Sequence, residues 1–363
     1  MPETFDDYLE LNAEALDISR TMHEGATEHY RAVATFLENN GVEAHFYADG
    51  SFATGTVVRP YTEDDDAFFD LDVVGKRTDV EKSETTPDAV RGSFVGPLAE
   101  SERYSGMLEL CDECLTLCYA DGGFRLDVVP CVADDVMLPG DPIAIACGNT
   151  TEWLSSNPQG LAEWFMGINS RFAVASAARN RQKAWVSNRD AYASINDVPD
   201  WLVRTSLQRS VQVLKRSRDV FCHHALIEDL VPSCAIMVLT ASIARGLEAT
   251  SGVHDVLCAV VDRLVLEVQS GLDGVEGMLG KTGSWHVDEP VSGGNLLCWD
   301  DDDARAFLRW TRGLRRSLML SPKQDTVKFN CAMREMFGSR AKVAEVENAA
   351  PASIVTPKRP WGC

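Results

Sequence analysis

The sequence GSFATGT at residues 50–56 and the run Asp70-Leu71-Asp72 that follows it decide how this chain is interpreted. Successive side chains on a strand point to opposite faces, so Asp70 and Asp72 share one face. The residues on both sides of this run are apolar or aromatic, as is typical of a strand. Two carboxylates on one face repel each other unless a cation lies between them, and Mg²⁺ binds one or two carboxylates together with phosphate oxygens. The two segments therefore predict a metal-binding strand next to a phosphate-binding turn.

A third carboxylate lies in the short strand-like run at residues 124–130, which follows a Gly-rich turn and closes at a proline. An isolated acid among apolar strand residues is costly to bury. Asp127 is explained if it faces Asp70 and Asp72 from a neighbouring strand and shares a pair of metal ions with them. Two ions about 3.5–4 Å apart can activate an attacking hydroxyl and stabilise a leaving pyrophosphate. The alternative is that Asp127 is a structural ion-pair partner of Arg125 or of another base.

The Gly-Ser turn, the Asp-hydrophobic-Asp strand and the later single Asp resemble the signature of the polymerase-β-like nucleotidyltransferases. The chain is more specifically similar to the bacterial cyclic-oligonucleotide synthases, the CD-NTases of antiphage (CBASS) operons, over about residues 5 to 320. The segments that carry this resemblance are residues 50–60, 124–130, 157–165, 207–219 and 231–233.

The resemblance implies an α+β fold with two lobes and an active site between them. Residues 1–150 would form a polymerase-β-like nucleotidyltransferase core with a mixed sheet, and residues 151–335 a helical second lobe like that of the oligoadenylate synthases. Residues 336–363 would form a tail. The site residues that the resemblance implies are Asp70, Asp72 and Asp127 for catalysis and metal binding, and Gly50, Ser51, Lys215 and Ser233 for nucleotide binding. For Lys215, the residues alone leave open a solvent-exposed basic face on an amphipathic helix.

The implied reaction joins nucleoside triphosphates, ATP among them, into a cyclic di- or trinucleotide with release of pyrophosphate. It would need two Mg²⁺ ions, for which Mn²⁺ can substitute, and its product would activate a separate effector in antiphage defence. The alternatives are a linear-product or small-molecule nucleotidyltransferase of the same fold, a catalytically dead nucleotide-binding regulator, and a protein-interaction module that uses the tail. In related operons a ubiquitin-like machinery conjugates the C-terminus. Here residues 361–363, WGC, end in cysteine, so a disordered remnant is an equal alternative.

The composition of the chain argues against nucleic-acid-binding, membrane-spanning and secreted proteins. The formal net charge of −21 argues against nonspecific nucleic-acid binding, which needs Lys and Arg to neutralise phosphates. The longest apolar run, at residues 234–244, is too short to span a bilayer, and the N-terminus lacks the features of a secretory signal. Eleven cysteines without such a signal indicate free thiols in a reducing compartment. We therefore expect a cytoplasmic protein without membrane contact.

Two cysteine clusters could be metal sites. Cys111, Cys114 and Cys118 occur at helical spacing and could bind a metal together with Cys131, but the pattern favours small apolar residues on the buried face of a helix. The run Cys222-His223-His224 is also predicted to be structural, because adjacent side chains diverge on a helix.

Apolar periodicity predicts one long helix over residues 5–40, ended by a C-cap at residues 39–41, and then a strand over residues 42–47. Residues 75–100 fit a helix or a loop, and residues 104–119 a helix. Beyond residue 150 the pattern is helical, with helices predicted at residues 159–177, 201–222, 231–247, 253–272 and 299–320.

Overall fold

The computed structural model describes residues 2, 4–62, 68–148, 151–187, 203–228, 230–280 and 284–345, without the side chains of residues 176–179, 183 and 187. The acidic run at residues 64–66 and the tail from residue 346 onward lie outside the described residues. The described strands are β1 (Ala44–Ala48), β2 (Phe69–Arg77), β3 (Leu108–Leu110), β4 (Leu115–Tyr119), β5 (Phe124–Ala133), β6 (Ile143–Ala146) and β7 (Trp153–Ser156). The described helices are α1 (Phe5–Glu14), α2 (Arg20–Asn39), α3 (Gly50–Thr54), α4 (Pro87–Glu100), α5 (Pro158–Ser187), α6 (Ser206–Ala225), α7 (Ser233–Ala244), α8 (Val253–Leu272), α9 (Asp301–Leu318) and α10 (Thr326–Phe337).

The seven strands form one mixed sheet, which confirms the predicted sheet type: five follow the order β1-β2-β5-β4-β3, while β6 pairs with β5 and β7 pairs with β6. The central pair, β2 and β5, is parallel, and all the other pairs are antiparallel. Strand β5 is ten residues long, so its first half pairs with β4 and its last residues pair with β6. The sheet therefore places β2 and β5 side by side at its centre.

Two large hydrophobic clusters give the chain its two lobes. One lies under the sheet, where Phe69, Leu71 and Leu126 pack against α2 and α4. The other is formed by α5 to α10 and also takes in Phe5 and Leu9 of α1. The α+β class with a helical second lobe is therefore confirmed, while the domain limits at residues 150 and 335 stay predictions.

The predicted continuous helix over residues 5–40 is wrong, because the chain breaks between α1 and α2. The Ser19 hydroxyl accepts a hydrogen bond from the Met22 amide (3.2 Å) and so starts α2 as an N-cap. Just before it, Asp17 forms an ion pair with Arg209 of α6 (2.8 Å). The break lets α1 pack in the helical lobe and α2 pack under the sheet. The predicted C-cap is confirmed, since α2 ends at Asn39 and Gly41 follows with a φ of 87°.

The predicted helix over residues 104–119 is also wrong, because this segment forms the β3–β4 hairpin. Within β4 all residues except Cys118 are buried, since β4 packs in the sheet between β3 and β5. Cys111 and Cys114 lie at the two ends of the hairpin turn, where the Cys111 amide donates to the Cys114 carbonyl (3.2 Å). The helical spacing of the cysteines was therefore coincidental.

Most of the other predicted elements are confirmed, with shifted ends. The strand at residues 124–130 is β5, the helix at residues 253–272 is α8, and the ambiguous segment 75–100 divides into the end of β2 and helix α4. The helix predicted from residue 201 begins at Ser206, and residues 201 and 202 lie outside the described residues. Strands β6 and β7 and helix α10 were not predicted.

Helix α6 joins the two lobes through polar side chains on one face. Gln208, Gln212 and Lys215 follow each other at helical spacing. Their side-chain nitrogens donate to the carbonyl oxygens of Thr54 (2.9 Å), Val57 (2.9 Å) and Thr56 (3.2 Å) respectively. All three are buried, so the bonds are shielded from water. We call these three hydrogen bonds the α6 contact, which holds the end of the Gly-Ser turn against the helical lobe.

The alternative left open for Lys215, a solvent-exposed basic face on α6, is therefore wrong. Arg209, Lys215 and Arg216 are only 9%, 5% and 2% exposed. Because α6 lies between α1, α7, α8, α9 and α10 on one side and the sheet lobe on the other, it has little solvent-exposed face. Its buried polar residues are paired instead, as the ion pair between Arg209 and Asp17 shows.

Replacing Gln212 by leucine tests the α6 contact. The side chain is fully buried, donates to Val57 and to Asp17 (2.9 Å), and accepts from Arg209 (2.9 Å). Leucine would leave these partners unsatisfied, so we expect the free energy of unfolding to fall by about 2–4 kcal/mol. Urea unfolding followed by circular dichroism measures the loss. Gln159→Leu, on the exposed side of α5, is the matched control and should change it by less than about 0.5 kcal/mol. Equal losses in the two variants would contradict a special role for the α6 contact.

Candidate active site

The three predicted acids meet on one face of the sheet. In the parallel register of β2 and β5, Asp72 lies directly opposite Asp127 and Asp70 lies opposite Arg125. The alternating residues Phe69, Leu71 and Leu126 are buried in the core below, so period-two alternation leaves the carboxylates on the other face. The structure therefore brings Asp70, Asp72 and Asp127 together, as the sequence predicted.

These carboxylates destabilise one another's charged forms. Burial, and then the charge of Asp127, raise the pKa of Asp70 to about 6. Burial, and then the charges of Asp49, Asp127 and Asp70, raise the pKa of Asp72 to about 7. Burial also raises the pKa of Asp127, although Thr116 and Arg125 act in the opposite direction. Perturbed acids of this kind concentrate at functional sites.

Asp49 is a fourth acid of the site, which the sequence analysis missed. It follows β1, and its amide donates to the Asp72 carbonyl (2.8 Å), so it lies beside the catalytic strand. Burial raises its pKa to about 6. The sequence Ala48-Asp49-Gly50 looks like an ordinary turn, and only the pairing of β1 with β2 shows that this acid reaches the site.

The Gly-Ser turn is the short helix α3, and its glycine is required by geometry. Gly50 has a φ of 59°, a conformation that side chains rarely adopt. A Cβ atom there would also overlap a carboxylate oxygen of Asp72. The next residue, Ser51, is half-buried, and its hydroxyl makes no hydrogen bond within the described part of the chain. The structure thus places Gly50 and Ser51 against the acids, with a free hydroxyl at the start of the turn.

Of the two predicted residues of the helical lobe, Lys215 reaches the acids, and Ser233 lies next to a neighbouring cation. Lys215 lies close enough to Asp70 and Asp72 for its charge to lower their pKa values. Burial, and then the charge of Arg218, lower the pKa of Lys215 itself to about 8. Ser233 begins α7, and its hydroxyl accepts a hydrogen bond from Arg218 (3.3 Å). Arg218 is therefore a further cation at this side of the cleft that the sequence analysis did not assign.

The alternative role of Asp127 as an ion-pair partner of Arg125 is not seen. No basic side chain forms a salt bridge with Asp127 among the described residues, and its one side-chain hydrogen bond there comes from Thr116 (2.5 Å). The Arg125 side chain instead interacts with Cys118, its partner in the β4–β5 register.

The cysteine clusters are not metal sites in this structure. Within the described ranges, no group of three His, Cys, Asp or Glu side chains is arranged to hold a metal ion by protein ligands alone. Cys118 pairs with Arg125 across the sheet, while Cys131 is buried on β5 and contacts the Gly75 carbonyl (3.7 Å). All the cysteines among the described residues are free thiols.

The same finding applies to the three acids, which do not form a complete metal cage by themselves. Mg²⁺ does not require one, because it keeps several waters and completes its coordination with substrate phosphates. The acids supply hard oxygen donors, repel one another, and lack an ion-pair partner in the described part of the chain. Their chemistry therefore fits Mg²⁺ or Mn²⁺ bound together with a nucleotide.

The stability that Asp72→Asn gains over wild type should depend on pH in the metal-free protein. The folded pKa of Asp72, about 7, lies above its ordinary value of 3.8, so ionisation destabilises the fold and stability is lost as pH rises towards 7. Asparagine removes this effect. We expect the gain in stability over wild type to be larger at pH 8 than at pH 5 by at least about 1 kcal/mol. This corresponds to a difference in the Tm gain on the order of 2–4 °C.

Thermal unfolding in the presence of a metal chelator measures this difference. Asp79→Asn is a suitable contrast, because an ion pair with Arg77 lowers the pKa of Asp79, and this variant should gain nothing at pH 8. The same gain for Asp72→Asn at both pH values would contradict a raised pKa.

Comparison with known proteins finds one matching domain and one curated relative. The profile of the Second Messenger Oligonucleotide or Dinucleotide Synthetase (SMODS) domain matches residues 3–169. A protein of Roseivirga ehrenbergii named c-di-GMP synthase is 27% identical over 273 residues, which span 73% of this chain and 66% of that protein, just under two thirds of its length.

Solved structures share the fold of the whole chain. The CD-NTase CdnG of Bradyrhizobium diazoefficiens, in complex with GTP, superposes with a TM-score of 0.70 at 20% identity over 93% of this chain and 95% of that one. CdnC of E. coli MS115-1, in complex with HORMA, superposes with a TM-score of 0.61 at 13% identity over 93% and 98%. Residues 3–169 of the chain therefore match the Second Messenger Oligonucleotide or Dinucleotide Synthetase domain, and the chain shares the fold of the CD-NTase structures.

Proposed function

We propose that this chain is a metal-dependent nucleotidyltransferase that joins nucleoside triphosphates into a cyclic di- or trinucleotide. The observation that carries the proposal is the row of acids across β2 and β5, which lies beside Gly50 and Ser51 and faces a buried lysine from the other lobe. The domain family supports the reaction class.

In this proposal, Asp70, Asp72 and Asp127 hold two Mg²⁺ ions, which Mn²⁺ can replace. When bound, the ions neutralise the charge of the phosphates and lower the pKa of the attacking ribose hydroxyl. That hydroxyl oxygen forms a bond to the α-phosphorus as the bond to pyrophosphate breaks. A second transfer of the same kind closes the ring.

The remaining residues bind and orient the triphosphate. The free Ser51 hydroxyl and the backbone amides at the start of α3 would donate to the phosphate oxygens. Lys215 and the Ser233 hydroxyl would contact the triphosphate from the helical lobe. Because burial lowers the pKa of Lys215 to about 8, a bound phosphate would favour its charged form.

The comparisons suggest which nucleotides to test. The relative from Roseivirga ehrenbergii is named c-di-GMP synthase, and the CdnG structure contains GTP, so GTP joins ATP as a candidate substrate. Another structure of E. coli CdnC contains ATP. Incubation with the four labelled nucleotides and Mg²⁺ or Mn²⁺, followed by nuclease mapping and mass spectrometry, separates a cyclic product from a linear or small-molecule one. If no nucleotide gives a product, the result would favour the alternative of a catalytically dead nucleotide-binding regulator.

The biological setting is part of the same proposal. A cyclic product would act as a second messenger for a separate effector in antiphage defence, and the CdnC structure with HORMA is compatible with regulation by a partner from the same operon. None of the described helices combines the length and apolar character that a bilayer crossing requires, and we infer a cytoplasmic enzyme. Conjugation through the C-terminus remains a proposal about residues outside the described part of the chain.

The double variant Asp70→Asn with Asp72→Asn tests the metal-binding role. It removes the charges that hold the metal but keeps side-chain volume. We expect product formation to fall by at least about 10³-fold, because metal activation supplies several kcal/mol. The Tm should hold or rise, since repelling charges are gone. Thin-layer chromatography of labelled product measures the loss. A double variant with near wild-type activity would refute the proposal.

Lys215→Met tests the contact with the triphosphate while it keeps the buried aliphatic volume. An ammonium acts on phosphate as a point charge, so we expect the KM for nucleotide to rise about tenfold or more. Lys328→Met, at an exposed lysine of α10, is the matched control and should leave kinetics unchanged. Unchanged KM and turnover in Lys215→Met would mean that Lys215 only supports the α6 contact.

A further inference from the structure

Thr116 lies next to Asp127 in the sheet and was not assigned a role by the sequence analysis or by the comparisons. In the antiparallel register of β4 and β5 it lies directly opposite Asp127, which in turn lies opposite Asp72 on β2. The row therefore runs from Asp72 through Asp127 to the Thr116 hydroxyl, and in the β3–β4 register Glu109 lies opposite Thr116. Thr116 is only 5% exposed, so this hydroxyl is shielded from water.

The contacts of the Thr116 hydroxyl show which neighbour receives its hydrogen bond. Its Oγ1 lies 2.5 Å from Oδ1 of Asp127, and an ionised carboxylate can only accept. The sulfur atoms of Cys111 (3.5 Å) and Cys114 (3.7 Å) also contact Oγ1. Because the single hydroxyl proton goes to Asp127, the thiols act as the donors. The neighbours of Thr116 therefore favour the orientation that donates to Asp127.

The thiols are held in place by Arg91 of α4, which is 8% exposed. Its guanidinium donates to the carbonyl oxygens of Asp112 (3.2 Å), Cys114 (3.2 Å) and Cys111 at the turn of the β3–β4 hairpin. The amide of Gly148 also donates to Asp112 (2.7 Å). The turn is thus held by α4 and by the chain at Gly148, so the residues around Thr116 are held in place.

Asp127 has no second anchor of this kind in the described part of the chain. The charges around it are Asp70 and Asp72 on β2, Glu109 on β3 and Arg125 on its own strand, while Lys215 of α6 acts on Asp70 and Asp72. Most of them are negative and repel the carboxylate. Thr116 is the side chain that holds Oδ1, and it leaves Oδ2 available to the cleft.

We propose that Thr116 is a positioning residue that fixes the carboxylate of Asp127 for metal binding. The inference rests on the proposed function, since it assumes that Asp127 binds metal. Residues that orient metal ligands commonly change metal affinity or activity by about 10–100-fold when they are removed. Thr116 would act in this way without touching the nucleotide.

The test compares Thr116→Val, which loses only the hydroxyl, with Thr116→Ser, which keeps it. Thr311→Val is the matched control, because Thr311 is also fully buried but donates to helix carbonyls of α9, in the other lobe. We expect Thr116→Val to lower kcat by about 10–100-fold with little change in the KM for nucleotide. Calorimetric titration with Mn²⁺, in the presence of a nonhydrolysable nucleotide, should show weaker metal binding by a similar factor. Thr116→Ser and Thr311→Val should both stay near wild type.

Asp127→Asn separates failure of this inference from failure of the proposed function. If Asp127→Asn is inactive while Thr116→Val has wild-type kcat and Mn²⁺ affinity, the positioning role is wrong and the proposed function stands. If Asp127→Asn is itself active, the proposed role of Asp127 is wrong. Should Thr116→Val fail to fold, Thr116→Ala gives the same comparison, because it removes the hydroxyl without placing a methyl group against the Asp127 carboxylate.

Discussion

The α6 contact is the interaction on which the rest of the site depends. Three buried donors on one helix face bind the carbonyl oxygens of Thr54, Thr56 and Val57, at and just after the end of the Gly-Ser turn. Backbone carbonyls cannot be left unpaired in a dry interface without a penalty of about 1–3 kcal/mol each. The contact therefore fixes where the turn ends and brings Lys215 into the cleft. Gln208 also completes the capping box that starts α6, so one side chain links the helix start to the other lobe.

The site contains four acids whose negative charges repel one another. Asp49, Asp70, Asp72 and Asp127 each have a raised pKa, and burial is the first cause in every case. Such a cluster is unfavourable in the empty protein and becomes favourable when cations enter. In the proposed function, metal ions held by these acids would supply the positive charge that a chain with a net charge of −21 lacks for binding triphosphates.

The acids and the mixed sheet could be predicted from the sequence because strand alternation and short signature segments are local features. Asp70, Asp72 and Asp127 needed only the period of a strand and the resemblance to a family. The helix predicted at residues 104–119 failed because the alternation in Leu115, Leu117 and Tyr119 overlaps a helical spacing, and the choice depends on pairing with β5. Asp49, Thr116 and the burial of Arg216 could not be found, since each depends on which distant element lies beside it.

The division of the two N-terminal helices between the lobes has a mechanical consequence. The chain passes from the helical lobe to the sheet lobe between α1 and α2 and returns at Asn157, where α5 begins. These two crossings join the lobes through the chain, and the α6 contact joins them at a third place through hydrogen bonds. The first of these crossings is itself tied to α6 through Asp17 and Arg209. The lobes are therefore linked at three places, so Lys215 cannot move away from the acids without breaking the α6 contact.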